Sequence, residues 1–310
     1  MLTPTQKQTA QAIVNLFETG AILGDYGSVT VIAGDTGHLT FGRSQTTLAS
    51  GNLLELLQRY CANDGARFGN RLAPWLPRFA AIDFSLDGEL RLHNLLRATA
   101  DDPVMRETQD IFFDEVYWQT AARIAGNFGI ASPLGLAVVY DSVVHGSWKT
   151  LRERTVAASG SPAEIGERRW IAAYVATRHS WLASHPRRDL RLTAYRMEAF
   201  RRLIEQGYWG LELPLVVRGA EISPATLRAT PPGCYDGPQP GTRSIALQSP
   251  LARGLDVRLL QLGLSEQGVA IKADGIFGQT SANLLRQYQA AAGLPATGVA
   301  DPALIARLAD

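Results

Sequence analysis

The chain has 310 residues, room for one domain of about 200 residues and a second, smaller one. Hydrophobic residues make up 46% and charged residues 19%, an ordinary globular balance with enough apolar material for a core. A formal net charge of +1 gives no general pull toward nucleic acid, and no window approaches the ~20 apolar residues of a membrane span.

The start, Met1-Leu-Thr-Pro-Thr-Gln-Lys, lacks the basic and then apolar stretch of an ordinary secretory signal. A helix follows at once. Thr3 caps it, Pro4 suits its first position, and Gln6 completes a capping box. Ala10, Ile13, Leu16 and Phe17 recur at helical spacing, and Gly20 ends the helix. Two β-prone runs, 28–33 and 39–41, flank the turn Gly34-Asp-Thr-Gly37. Helical patterns resume over 52–60, 103–127, 134–145, 163–182 and 192–205. The fold class is therefore mainly α with a small β-sheet, an α+β arrangement, over 1–217. The stretch 218–250 holds Pro224, Pro231, Pro232, Pro238, Pro240 and Pro250, lacks apolar periodicity, and reads as a helix-free, partly extended linker. Residues 251–310 read as a separate three-helix module. The arginines 187, 188, 191, 196, 201 and 202 read as a solvated helix face. Cys61 and Cys234 form no metal spacing, and the five histidines add none, so the cysteines are read as free or structural thiols.

Two acids bracket the small sheet: Glu18 at the end of the first helix and Asp35 in the turn. Such a pair suits glycosidic cleavage, in which one carboxyl protonates the leaving oxygen and the other activates water. Glu18 follows Leu16 and Phe17, so partial burial is expected to keep it protonated. Asp35 sits among glycines in a wetter turn suited to an ionised base. Thr40, five residues on, is placed to hold the attacking water. The bland alternative is ordinary surface and turn chemistry.

The segment from Glu18 to Tyr60 resembles the chitosanases of glycoside hydrolase family forty-six, in the lysozyme-like superfamily. The shared residues are Glu18, Gly34-Asp35, Thr40 and Gly51-Asn-Leu-Leu-Glu-Leu-Leu-Gln58. Val116-Tyr-Trp118, Leu134-Gly135 and Tyr140-Asp-Ser-Val-Val-His-Gly146 follow in order. The resemblance covers 5–215 and implies an inverting mechanism with Glu18 as acid, Asp35 as base, and carboxyls ~6.5–9.5 Å apart. It places Arg178 where the family keeps an arginine that helps to position the base, as a partner of Asp35 or of a neighbouring acid. His38, Asn52 and Arg178 are the expected substrate-binding residues; no metal or cofactor is implied. Tyr140, Asp141 and His145 also read as a core hydrogen-bond set. Two departures stand out. The family's Asp that recognises a glucosamine ammonium is Asn52 here, and its arginine two residues after the base is Gly37. Both turn the expectation from chitosan toward acetylated glycans. Asn52 with Glu55 equally reads as a capping box.

The tail, with Asp256-Val-Arg-Leu-Leu-Gln261, Ala273-Asp-Gly-Ile-Phe-Gly-Gln-Thr280 and Gly293-Leu-Pro-Ala-Thr-Gly298, resembles the three-helix peptidoglycan-binding domain of cell-wall hydrolases. Leu255, Leu259 and Leu262 form one helix face, Phe277 an anchor, and Leu284, Leu285 and Tyr288 the second helix's core face. Together the resemblances imply a hydrolase cutting the β-1,4 bonds of peptidoglycan, a muramidase. The alternatives are a chitosanase with an accessory domain and a non-catalytic wall-binding protein. Peptidoglycan is the expected partner, with an immunity protein if the chain is a secreted effector. Synthesis in the cytoplasm and action at the wall, after lysis or specialised secretion, are the corresponding expectations.

Overall fold

The computed structural model describes residues 2–43 and 45–309. The chain divides into two compact units: residues to Gly24 with Phe113–Ala229, and Asp25–Phe112 with residues from Thr230. Among the described residues no helix is long and apolar enough to cross a membrane.

The first unit is helical. Helix Pro4–Glu18 opens with the expected capping box: Gln6 N donates to Thr3 Oγ1 (3.2 Å) and Thr3 N to Gln6 Oε1 (2.9 Å). Its apolar face packs on Pro133–Val144, a helix apolar on all sides and buried from Leu134 to Ser142, as a central core helix must be. Glu167–Ala183 packs against Trp148–Ser159 and Tyr195–Glu205. The expected helix 163–182 is broken at Gly166, whose φ of +85° suits glycine, after the short helix Pro162–Ile165. The expected 192–205 helix starts only at Tyr195, and Trp148–Ser159 is an addition. The expected helix 103–127 is helical throughout, with the wider turn Asp114–Trp118 between Pro103–Phe113 and Gln119–Asn127. Strands Leu215–Val217 and Ala220–Ile222 form a hairpin. The short helix Pro224–Leu227 then corrects the reading of 218–250 as helix-free. Ser223 and Thr226 cap it reciprocally, and Pro224 takes the first-turn position that needs no N–H.

The second unit holds the small sheet, in the order β1 (Val29–Thr30), β2 (Thr40–Phe41), β3 (Thr46–Thr47), all antiparallel. Thr40 pairs with Thr30 on one side and Thr47 on the other. The third strand is two residues long, too short for a period to show. Helix Asn52–Cys61 buries Leu53, Leu56, Leu57 and Tyr60 beneath the sheet's Leu39 and Phe41. The same unit contains the C-terminal segment, with helices Leu255–Glu266, Gln279–Ala291 and Pro302–Ala309. Both cysteines are free.

Leu255–Glu266 is buried on every side from Leu255 to Ser265. Val257, Leu260 and Leu264 face Phe277, Leu285 and Ile305, the core of the C-terminal segment itself. Leu255, Leu259 and Leu262 instead join the core of Leu39, Phe41, Leu53 and Leu57. The one-faced helix read from the sequence is thus corrected to a two-faced one. Polar groups fix the same contact. Asn94 Nδ2 donates to Ile271 O (2.7 Å) and Ser265 Oγ (2.9 Å), while Ala273 N donates to Asn94 Oδ1 (2.9 Å). Arg258 pairs with Asp101 at 3.0 Å, both almost fully buried; burial pushes the Asp101 carboxyl up to about 6 against the pull of Arg258. Ending the chain at Pro250 strips three leucines from that core, each contributing about 1.5–3 kcal/mol by burial. The shortened chain is expected to melt at a lower temperature, with hydrogen exchange accelerated over 39–60; an unchanged exchange pattern would show that 25–112 stands without the tail.

Candidate active site

In the first unit the site is built outward from Asp141, on Pro133–Val144, which has no exposed surface. Arg178, from Glu167–Ala183, donates through Nη1 to Asp141 Oδ2 at 2.6 Å and to Ser142 Oγ at 2.8 Å. Arg196, from Tyr195–Glu205, donates to Asp141 Oδ1 through Nε (2.9 Å) and Nη2 (2.7 Å). That same Nη2 donates to Glu18 Oε1 at 2.6 Å. Charges alternate along the row Arg178, Asp141, Arg196, Glu18, which is how buried ions are tolerated. Burial alone would raise the Asp141 carboxyl, but Arg196 and Arg178 outweigh it and hold the group below the ordinary range. His145 closes the set, its Nδ1 accepting from Arg178 Nη2 at 3.1 Å. Burial, then Arg196 and Arg178, push the His145 imidazole down to about 4.

Glu18 is the exposed end of this row. Its side chain is 43% exposed, so the expectation of burial against Leu16 and Phe17 is corrected: those two point into the core while the helix's last residue turns outward. What orients Glu18 is Arg196, itself 2% exposed. Arg178 is completely buried and meets no solvent, so the substrate-contact role expected of it is corrected to that of a partner for the neighbouring acid Asp141. Arg196 was read as part of a solvated face. It lies on the apolar stripe with Phe200 and Leu203, and an arginine at that spacing is the signal that marks it as a buried ion.

In the second unit Asp35 is exposed in the turn before β2, its N–H donating to Ile32 O at 3.0 Å. A Cβ built on Gly37 would stand 3.1 Å from Asp35 Oδ2 and 3.0 Å from Thr47 Cγ2, so the carboxylate lies close over the glycine. Thr40 is largely buried; its hydroxyl donates to His38 O at 3.1 Å, leaving lone pairs to accept from a water. His38 has left-handed backbone, φ +58°; its ring stacks on Phe84 and its Nδ1 bonds Asp87 Oδ2 at 2.8 Å. Asn52 is exposed and is the first residue of its helix; the cap position is Gly51, at φ +78°. The capping-box reading of Asn52 with Glu55 is therefore corrected, since the left-handed turn at Gly51 starts the helix one residue earlier than that reading requires.

The model of glycosyl hydrolase family 46 matches residues 12–215, and that of the putative peptidoglycan binding domain matches 253–308. A chitosanase of Bacillus subtilis (strain 168) is 30% identical over 237 residues, covering 71% of this chain and 84% of that protein. Among solved structures, native chitosanase from Bacillus subtilis MY002 is similar with a TM-score of 0.59 and 27% identity, covering 70% of this chain and 96% of that one. The family 46 chitosanase of Gynuella sunshinyii, solved with chitotetraose, gives 0.59 and 29%, covering 72% and 98%. Fold and matches together define a glycoside hydrolase of lysozyme-like architecture. The chain belongs to glycosyl hydrolase family 46 and carries a peptidoglycan-binding domain near its C-terminus.

Two outcomes follow from the Asp141 set. Asp141→Asn leaves Arg178 and Arg196 buried without a full counter-charge and is expected to cost about 3–5 kcal/mol, read by urea unfolding. A loss below about 1 kcal/mol would show that the arginines repair themselves with water. For His145, the folded imidazole titrates near 4 against an ordinary 6.5. Between those values the unfolded chain binds more protons, so stability is full above 6.5 and is lost as pH falls toward 4. Thermal melting across that window should fall less steeply in His145→Gln than in the parent chain.

Proposed function

We propose that the chain hydrolyses β-1,4 bonds of a glucosamine-type polysaccharide by inversion. Glu18 delivers a proton to the leaving oxygen, and Asp35 activates a water that Thr40 helps to hold. The observation that carries this is the pinning of an exposed Glu18 by an arginine buried on Asp141. Arg196 occupies Oε1, which leaves Oε2 to carry the proton. With Glu18 protonated, the row Arg178, Asp141, Arg196, Glu18 carries one net positive charge. Once the proton is delivered it carries none, so the row favours delivery. Asp35, exposed in its turn, has room for a water beside it.

For the substrate, the relatives support the chitosanase reading over the muramidase expected from the sequence, since those named are chitosanases. Peptidoglycan remains a second reading on one specific observation, the match of 253–308 to a peptidoglycan-binding model. Wall action, outside the cytoplasm, goes with that reading. A purely binding protein, the third expectation, does not fit membership of a hydrolase family with both carboxyls kept.

Reducing-end release from chitosan, run beside turbidity loss of purified walls, separates the two substrates. Glu18→Gln and Asp35→Asn are each expected to lower whichever activity is present by about 10²–10⁴-fold. The first-formed product should be the α-anomer by NMR. An unchanged rate in Glu18→Gln would remove the enzyme assignment, and a β-anomer would remove inversion.

A further inference from the structure

The helix Pro4–Glu18 has no basic side chain in its last turn. Its cap, Thr19, turns both its N–H (2.8 Å) and its hydroxyl (3.0 Å) on Asn15 O. The carbonyls of Leu16 and Phe17 are then left to partners outside the helix. Arg218 Nη1 donates to Leu16 O at 3.3 Å, and the Tyr195 hydroxyl donates to Phe17 O at 2.8 Å. The two donors are held together, with the Arg218 guanidinium 4.0 Å from the centre of the Tyr195 ring. Phe17 meets the same ring edge-on, centroids 6.0 Å apart. A cation at this end of a helix also faces the negative pole of its dipole. Tyr195 precedes Arg196, whose Nη2 holds Glu18 Oε1. Two successive residues thus grip one helix end, the first by its backbone and the second by the Glu18 carboxyl.

Arg218 occupies a strained seat. Val217 pairs with Ala220, so Arg218 and Gly219 form the two-residue turn of the hairpin, and both are left-handed, at φ +53° and +80°. Such a turn favours asparagine or glycine at its first position. An arginine there is strained, and what its side chain reaches is the end of the Glu18 helix. Beside it a groove of about 440 Å³, lined by Tyr195, Glu198, Arg202, Tyr208, Val216 and Arg218, runs between Tyr195–Glu205 and the hairpin. The grip stands next to open space, so a shorter side chain at 218 removes its contacts without leaving a sealed cavity.

We propose that Arg218 and Tyr195 are positioning residues for Glu18. Arg196 fixes the rotamer of the carboxyl, while Arg218 and Tyr195 fix the turn of backbone from which it springs. Without them the helix end opens and the carboxyl swings with it. This rests on the reading of Glu18 as the acid, and it gives the left-handed arginine of the hairpin a task.

The test sets activity against stability. Arg218→Asn suits the left-handed turn, so its Tm should equal or exceed that of the parent chain. Its kcat, on whichever of chitosan and purified wall glycan the parent cuts, should fall about tenfold, with KM within about twofold. Tyr195→Phe keeps the ring and removes one donor, and should lose about threefold in kcat. Arg218→Lys keeps the charge and should recover most of the Arg218→Asn loss. In a Glu18→Gln background, Arg218→Asn should change the residual rate by less than about twofold, since no proton is left to place. Hydrogen exchange at the Thr19 amide should quicken about tenfold in Arg218→Asn, with the core helix over 134–142 unchanged. An unchanged kcat, a Tm that falls with kcat, no recovery with lysine, unchanged exchange at Thr19, or an equal loss without the Glu18 carboxyl would overturn the proposal. If Glu18→Gln itself leaves the rate unchanged, the acid reading fails on its own, and exchange at Thr19 still decides whether the grip holds the helix end.

Discussion

The active end of the first unit depends on one buried carboxylate. Asp141 is surrounded by protein, and its charge is tolerable because two guanidiniums meet its two oxygens from two different helices. The arrangement does more than neutralise. Arg196 has donors to spare after Asp141 is satisfied, and it turns one on Glu18. The position of the exposed Glu18 side chain is thereby set by groups that solvent does not reach. A glutamate at the last residue of a helix has several rotamers available, and a single fixed donor at 2.6 Å selects among them. His145, kept neutral by burial and then by the two arginines that face it, completes the set by accepting rather than competing for Asp141.

The second unit follows a different logic, that of a shared core. A helix with one apolar stripe can end a domain; a helix apolar on two stripes must be covered twice. Leu255–Glu266 is of the second kind, and the two covers are the Leu39–Tyr60 region and the helices that follow it in the chain. Asn94 shows that the contact is specific. Its amide is buried, and both ends of it are satisfied by backbone at 271 and 273 and by Ser265. A loosely tethered module would leave such an amide to water. A glycan-binding surface on this segment therefore moves with the sheet that carries Asp35 and Thr40.

Much of this was legible in the sequence where periodicity or capping chemistry is strong. The first helix, with Thr3, Pro4 and Gln6, is an example, and so is Pro133–Val144, whose apolar run from Leu134 to Val139 marks a core helix. Glu18, Asp35 and Thr40 were singled out through spacing that resembles a family, and their roles stay a proposal. Arg178 was legible as the partner of a neighbouring acid but not as a group removed from the substrate, because burial of a charge depends on a partner 37 positions away in the chain that no local pattern displays. The Leu255, Leu259 and Leu262 stripe was visible, yet what covers it was not: a stripe announces a need for contact without naming the partner. Two-residue strands such as β3 lie below the length at which alternation can be seen.

Gly37 shows how a departure from a family pattern carries structural meaning. Read from the sequence, it is an arginine lost. In the fold it is a space filled by its neighbour: Asp35 Oδ2 lies where the first carbon of any side chain would crowd it, and the Thr47 methyl closes the other side. Restoring a side chain at 37 would push on the Asp35 carboxylate or on β3, whose Thr47 pairs with Thr40. The substitution is thus coupled to the seat of Asp35. A side chain that is to stand beside Asp35 without crowding it must come from a position that points clear of that seat. His38, the next residue, has such a position. Its left-handed backbone sends the ring to Phe84 and Asp87 while its carbonyl stays on Thr40.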